Sequence, residues 1–379
     1  MKYFFLFIII AYILLSPFYI FESGLPQPAD FVIAFGCLFL IFSKDFLLYL
    51  KQDVVKKFIY FLSLTIFINI FYFLFFKSQS IDASAMLSYI FYYSFNFLFF
   101  LLFLKTLQEN PEFSDKIAFT IIFCLIVQTI FAVLGINGGI KGDGTRSVIF
   151  FNNPNQLGYF ALLMLTIFIT LKSKYKQNFY IILLILVISG SLILFSGSRA
   201  ALGGFIILSI ISLYQLEKKY RLSVFVFVVL LTIATPIIYK TTFIQDKITL
   251  IERRGGRNEL KNVTEAQVRG YDRFWLHPEY IFFGAGEGKY DRFDSWHSLE
   301  IHSGFGTVLF SYGIFGLILF SNFIFKVISN NLFSNILLLL PVIIYNATHQ
   351  GLRFSLLWAL LAIIYAYSNT NPNLRIDNE

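Results

Sequence analysis

Apolar runs close to twenty residues long, separated by short polar breaks, restrict this chain to lipid as its main solvent and to the helix as its main element. A helix needs about 20 predominantly apolar residues to cross the hydrocarbon core. Such runs lie near residues 2–21, 30–43, 58–76, 85–104, 117–135, 157–171, 179–196, 200–214, 222–239, 303–325, 334–347 and 352–368. The second, eighth and eleventh are short, and the seventh and eighth are divided only by Ser196-Gly-Ser-Arg199. The bulk composition agrees: 57% of the residues are hydrophobic and 14% charged, against roughly 25% charged in a soluble domain, and the mean hydropathy is +0.72. The expectation is an all-α polytopic membrane protein of about twelve transmembrane helices. Nine would lie in 1–239, one large outer loop in 240–301, and three more with a short cytoplasmic tail in 302–379.

Orientation follows from Lys and Arg in the short loops. With the N-terminus in the cytoplasm, Lys44, Lys51, Lys56, Lys57, Lys105, Lys116, Lys172, Lys174, Lys176, Lys218, Lys219, Arg221 and Lys326 fall inside, whereas Lys77, Lys141, Arg146, Arg199 and Arg353 fall outside. Both termini are therefore expected inside and the loop outside. The first run follows a Lys but has no small-x-small cleavage site before Glu22, which fits an uncleaved first span. The net charge of +8 comes largely from inside loops; no basic stripe with stacking aromatics is present, so nucleic acid is not an expected partner. Cys37 and Cys124 sit in apolar runs, as small hydrophobes do, and imply no disulfide or metal cluster. The 49 Phe residues suit lipid-facing surfaces, where Phe and Leu exchange freely.

Within this frame the polar stretch 240–301 is where chemistry is expected, and its far end, Glu300-Ile-His302-Ser, is its sharpest point. A neutral imidazole near its natural pKa takes a proton from a hydroxyl, and a neighbouring carboxylate orients it; the alternative is an interfacial polar residue. His277, His297 and His349 have less specific settings. Arg146 follows a Gly-rich loop over 135–144, and Arg199 sits in an apolar setting. A charge at membrane depth faces a cavity or a partner, or snorkels to headgroups. Asn152-Asn-Pro154-Asn155-Gln156 opens a span. Capping accounts for one Asn there, and a polar cavity mouth for the others. Gly284-Ala-Gly-Glu-Gly288-Lys289 lacks the spacing and the following Ser or Thr of a nucleotide loop and reads as a tight turn, plain or ligand-approaching. Asp291 and Asp294 flank an Arg without further ligands, so no metal site and no cofactor are expected.

In this order on this topology, the marks resemble the O-antigen ligase and polymerase superfamily of bacterial inner-membrane proteins. They are Asn-x-Pro-Asn at 152–155, Ser-x-Ser-Arg at 196–199, and a long outer loop with a Gly-x-Gly turn. That loop ends in a His heading a helix with Gly-Ile-x-Gly at 313–316. The resemblance spans about 146–325 and implies a metal-independent glycosyltransferase of the C type with its active site at the periplasmic face. Its donor would be an undecaprenyl-diphosphate-linked oligosaccharide, its surroundings membrane lipid, and a chain-length regulator protein a further partner. Arg146 and Arg199 would bind the diphosphate, His302 would be the base with Glu300 beside it, and Asn152, Asn155 and Gln156 would line the cavity. Ligases of the superfamily often carry His-x-His-Asn or His-Asn at the helix opening. Glu-Ile-His-Ser departs from that and looks more like polymerases. Ligase remains the alternative, with a lipid-linked oligosaccharide flippase as a different class and a membrane O-acyltransferase a weaker third. Against the flippase stands the single, off-centre loop, since transporters usually show repeated halves.

The orientation has a direct check. A reporter fused after Lys289 is expected to be active only in its periplasmic form; activity of a cytoplasm-only reporter there would reverse the topology.

Overall fold

A computed structural model describes residues 2–22, 24–136, 138, 146–214, 220, 263–297 and 299–368. The expected span over 222–239, the first part of the outer loop over 240–262, most of the Gly-rich loop over 135–144 and the tail over 369–379 lie outside the described residues. Every regular element among the described residues is a helix. In chain order they are α1 (Lys2–Leu15), α2 (Pro28–Ile41), α3 (Phe46–Leu50), α4 (Asp53–Ser78), α5 (Ser84–Glu109), α6 (Phe113–Val133), α7 (Pro154–Thr170), α8 (Phe179–Ser196) and α9 (Arg199–Tyr214). The short loop helices α10 (Glu265–Val268), α11 (Arg273–Leu276) and α12 (Tyr280–Phe283) follow, then α13 (Gly304–Ile328), α14 (Leu332–Thr348) and α15 (Ser355–Ser368).

Each apolar run within the described residues holds a helix, but not always of its expected length. Among the described residues, five helical stretches are long and apolar enough to cross a membrane: α4, α5, α6, α8 and the stretch 304–348 that holds α13 and α14. The apolar helices α1, α2, α7, α9 and α15 are shorter. Helix α1 shows why a run overstates a helix. Pro17 disfavours helical backbone at Ser16, and the helix stops at Leu15, where the Ser16 hydroxyl donates to the Ile13 carbonyl at 2.9 Å.

Helix α4 packs on α13 and α5, α15 on α5, and α14 on α9. At the centre Trp358 is fully buried and stacks on Phe58, with ring centroids 4.8 Å apart and planes inclined by 17°. Phe61, Phe99, Phe100 and Phe103 are also buried between helices, while Phe67, Phe71 and Phe91 face outward. The abundant Phe thus fills the core as well as the lipid-facing surface.

Helix α13 is interrupted at Gly313, whose φ of +67° and ψ of −172° are not helical. The break is filled by the outer loop. The backbone N–H groups of Ala285 and Gly286 donate to the carbonyls of Phe310 and Ser311 at 2.9 and 2.8 Å. Backbone freed inside a bundle must be satisfied by protein in this way. The approach requires glycine on both sides: a Cβ on Gly313 would lie 2.2 Å from the Phe282 carbonyl oxygen, and one on Gly284 2.4 Å from that of Ser311. The Gly-rich turn singled out in the sequence is therefore a plug seated in a broken helix.

The plug carries Glu287, which is fully buried. One of its carboxylate oxygens accepts hydrogen bonds from the hydroxyls of Tyr93 and Tyr312, each at 3.0 Å. Its backbone N–H donates to Asn69 Oδ1 at 2.8 Å, and Asn69 Nδ2 reaches the Tyr312 hydroxyl at 3.3 Å. Helices α4, α5 and α13 are tied to the loop through this one residue. Burial pushes the Glu287 carboxyl up to about 7, against the opposing pull of Arg353 and the tyrosine hydrogen bonds.

A carboxyl raised on folding contributes stability that is fully present below its unfolded pKa and is lost as pH rises through the folded value. The wild-type protein is therefore expected to lose up to about 1.4 kcal/mol of stability per pH unit between about pH 5 and 7. Glu287→Gln should flatten that slope. Thermal unfolding in nanodiscs across this range checks it, and identical slopes for both proteins would contradict it.

Candidate active site

The Asn-rich motif at the start of α7 divides its labour. Asn153 caps the helix, its Oδ1 accepting from the Gln156 N–H at 3.0 Å, and Pro154 takes the first turn, where its missing N–H costs nothing. Gln156 Oε1 accepts from the Asn152 N–H at 3.1 Å, and Asn152 Nδ2 donates to the Phe21 carbonyl at 3.3 Å. These are capping and tethering contacts. Asn155 differs: its Oδ1 accepts from Arg146 Nη2 at 2.7 Å, and its carbonyl accepts from the Tyr345 hydroxyl at 3.1 Å.

Arg146 is fixed a second time, its Nε donating to the Ser196 carbonyl at 2.7 Å. That carbonyl belongs to the last residue of α8, where a helix dipole favours a cation. Gly197, left-handed with φ +60°, ends α8, and after Ser198 the chain starts α9 at Arg199. The Ser196–Arg199 motif is thus a helix–helix turn whose first residue holds one predicted arginine and whose last is the other. The Arg199 side chain is exposed. Gly158 of α7 lies against this turn, since a Cβ there would meet Ser196 Oγ at 2.7 Å.

The C-terminal end of α14 faces the same region. Tyr345 stacks on Tyr159 of α7 with centroids 3.9 Å apart and planes 6° apart, and on His349 at 4.8 Å. His349 follows the helix; its carbonyl accepts from the Gly304 N–H at the start of α13 at 3.1 Å. Ser303 caps α13 by accepting from the Gly306 N–H at 3.1 Å, and donates to the Asn346 carbonyl at 3.3 Å. From the loop, Arg269 Nη1 donates to the Thr348 carbonyl at 2.7 Å while Nη2 pairs with Glu265 at 2.9 Å. The Arg269 carbonyl accepts from the His302 N–H at 2.9 Å.

His349 registers what has gathered here. Its pKa is pushed down to about 4, first by burial and then by the charges of Arg269, His302, Arg146 and Arg199. The two sequence-predicted arginines and the predicted histidine, separated widely in the chain, therefore act on one imidazole. His302 is itself held below its ordinary value by burial, Arg269 and Arg273. Both influences favour its neutral form.

The partner of the His302 ring is not the one its sequence neighbourhood suggests. Glu300 forms an ion pair with Arg353, and the His302 ring is bonded to His297, Nε2 to Nε2 at 2.9 Å, with the rings edge to face at 88°. A carboxylate offered a guanidinium forms a charge-assisted bond stronger than one to a neutral imidazole, so the expected Glu300–His302 orientation is replaced by a histidine pair. Asp291 pairs with Lys289 at 2.9 Å, and among the described residues no group of three or more His, Cys, Asp or Glu side chains is placed to hold a metal ion. His277 belongs to the loop's small core, its Nε2 bonded to the Phe293 carbonyl at 2.9 Å.

Arg269, His297 and His349 have no site signature in the sequence because a local pattern reports chain neighbours; Arg269 and His297 come from the loop, and His349 is set by the end of α14. Arg146 is held at the turn that ends in Arg199, Arg269 is held at the end of α14, and the His302 ring has one nitrogen without a hydrogen bond among the described residues. No known protein-family model matches the chain, and no curated protein matches it.

Proposed function

We propose that this protein is a polyprenyl-diphosphate-dependent glycosyltransferase, an O-antigen or related surface-polysaccharide polymerase of the bacterial inner membrane. Under this reading the chain has about twelve spans in a C-type glycosyltransferase arrangement, with both termini cytoplasmic and the site at the periplasmic face. The observation that carries it is the placement of the arginines: Arg146 is bonded to Ser196 and Asn155 at the turn that ends in Arg199, the Asn155 carbonyl accepts from Tyr345 of α14, and Arg269 is bonded to Thr348 at the end of the same helix. Guanidinium groups match phosphate oxygens in bidentate geometry. Arg146 and Arg199 hold the donor's diphosphate and stabilise the charge that develops on it as the glycosidic bond breaks. Arg269, paired with Glu265, lies at the end of α14.

His302, in its neutral form, removes the proton from the acceptor hydroxyl. The oxygen attacks the anomeric carbon, the new glycosidic bond forms, and undecaprenyl diphosphate departs with the electron pair of the broken bond. The acceptor is the terminal sugar of another lipid-linked repeat. Polymerase is preferred to ligase because the helix opens as Glu300-Ile-His302-Ser rather than with the paired His and Asn of ligases. Asn155 positions Arg146, while Asn152 and Gln156 organise the helix start.

Gene deletion with a gel of surface polysaccharide separates the readings. Single-repeat capping of the lipid core supports polymerase. Loss of all capping with accumulating lipid-linked polymer means ligase, and loss of all outward-facing repeats means flippase. In purified protein, Arg146→Ala and Arg199→Ala are expected to lose turnover with insertion intact, and Lys at either position to restore it only in part. His302→Ala should reduce turnover about 10²–10⁴-fold with donor binding retained. Because burial and the arginines lower the His302 pKa, activity should hold through neutral pH and fall only below the ordinary imidazole range. A chelator should have no effect. Wild-type turnover in the Ala variants, or arrest by chelation, would contradict the mechanism.

A further inference from the structure

The Gly-rich plug reaches further into the bundle than a loop resting on the helix ends would, and its neighbours on α13 and α4 give the depth independently. The far ends of these two helices are marked by charge: Lys326 pairs with Asp53 at 2.9 Å, and Lys57 donates to Asn322 at 3.2 Å. At the helix rise of about 1.5 Å per residue, Gly313 lies about 20 Å along α13 from Lys326, and Asn69 about 18 Å along α4 from Lys57. Gly284 is pressed against Gly313, and the Glu287 N–H donates to Asn69. Both positions fall inside a hydrocarbon core of about 30 Å. The chain has returned by Gly288, where a Cβ would meet the Met86 nitrogen, in the first turn of α5, at 3.1 Å.

The backbone of the plug meets the condition that such a depth imposes. In hydrocarbon no water satisfies a peptide group, so irregular backbone there must be bonded to protein. The Gly284 N–H donates to the Tyr280 carbonyl at 2.8 Å, and the Gly284 carbonyl accepts from the Tyr72 hydroxyl at 3.0 Å. The N–H groups of Ala285 and Gly286 go to the Phe310 and Ser311 carbonyls. The carbonyls of Ala285 and Gly286 both accept from Arg292 Nη2, that of Gly286 at 3.2 Å. Every backbone polar group from Gly284 to Gly286 therefore has a protein partner. The cation that closes the last two bonds is itself enclosed by aromatic faces: the Arg292 guanidinium lies 5.2, 5.0 and 4.4 Å from the ring centroids of Tyr72, Phe76 and Phe293.

The side chains divide in the same way. Phe282 and Phe283, on the helix that leads into the plug, are 64% and 74% exposed. Glu279 and Lys289 bracket the dip, and between them Glu287 is the one carboxyl or cationic residue, enclosed by Tyr93, Tyr312 and Asn69. Just before Glu279, Trp275 of α11 is exposed, a residue type suited to the membrane–water boundary. Open apolar side chains beside fully bonded backbone suit acyl chains, whereas water opposes their exposure. We infer that residues 280–288 form a re-entrant segment in the leaflet on the loop side, with Phe282 and Phe283 against lipid acyl chains. The partner of this surface is the phospholipid bilayer, whatever reaction the site performs. The loop that carries His297 and His302 is thus anchored within the membrane at this point.

The test is tryptophan quenching of full-length protein in phosphatidylcholine nanodiscs. Phe282→Trp and Phe283→Trp are made singly in a Trp275→Phe, Trp296→Phe background, whose remaining Trp358 is buried and gives the baseline. Asp291→Trp, at an exposed position, is the aqueous control. The lipids carry a nitroxide on the acyl chain or on the choline headgroup, and iodide is added from water. The emission added by Phe282→Trp or Phe283→Trp is expected at shorter wavelength than that of Asp291→Trp, and to be lost mainly to the acyl-chain nitroxide. Asp291→Trp should instead lose its emission to iodide. Strongest quenching of the phenylalanine variants by the headgroup nitroxide, or by iodide to the level of the control, would put the segment at the surface or in water and overturn the assignment. Protection from iodide and from both nitroxides would put protein there, such as a second copy of the chain, and would overturn it equally.

Discussion

A helix interrupted inside a bundle exposes carbonyls that lipid cannot satisfy, and in α13 the donors come from the turn at Ala285 and Gly286. That docking sets the position of everything downstream. With Gly284 pressed against the break and Glu287 buried among Tyr93, Tyr312 and Asn69, the loop has one seat on the membrane helices. From that seat Arg269 reaches the end of α14 and His302 begins the return to α13. A looser loop would leave the histidine pair without a fixed relation to the arginines.

Among the described acids of the loop, Glu300 pairs with Arg353, Asp291 with Lys289 and Asp272 with a backbone N–H, while Glu265 pairs with Arg269 itself. Arg146 is bonded to the Ser196 carbonyl and the Asn155 side chain. Burial, Arg269, His302, Arg146 and Arg199 together lower the His349 pKa. Under the proposed function these effects would act together, since a base must be neutral before it acts and a diphosphate leaving group needs compensating charge.

Much of this was legible in the sequence for simple reasons. Apolar length marked the helices, because a lipid-exposed helix shows its surface in its composition, and the glycines at 284, 286 and 313 announced unusual backbone. The Asn motif, Arg146 and Arg199 were visible as polar residues in apolar surroundings. The pairings were not legible. Glu300 lies two residues from His302 yet belongs to Arg353, and His297 is set by a buried arginine, Arg273, whose partners are mostly backbone atoms with no sequence signature. Nor did α4 and α5 show more than topology, although Asn69 and Tyr93 hold the plug.

Under the proposed function, three arginines from distant parts of the chain make one diphosphate site. The direct measurement is the affinity of purified protein in nanodiscs for farnesyl diphosphate, across salt concentrations, in wild type and in Arg199→Ala and Arg269→Ala. The account predicts salt-sensitive binding that weakens at least about tenfold, or about 1.4 kcal/mol, in each variant. Equal affinity in all three proteins, or binding insensitive to salt, would contradict it.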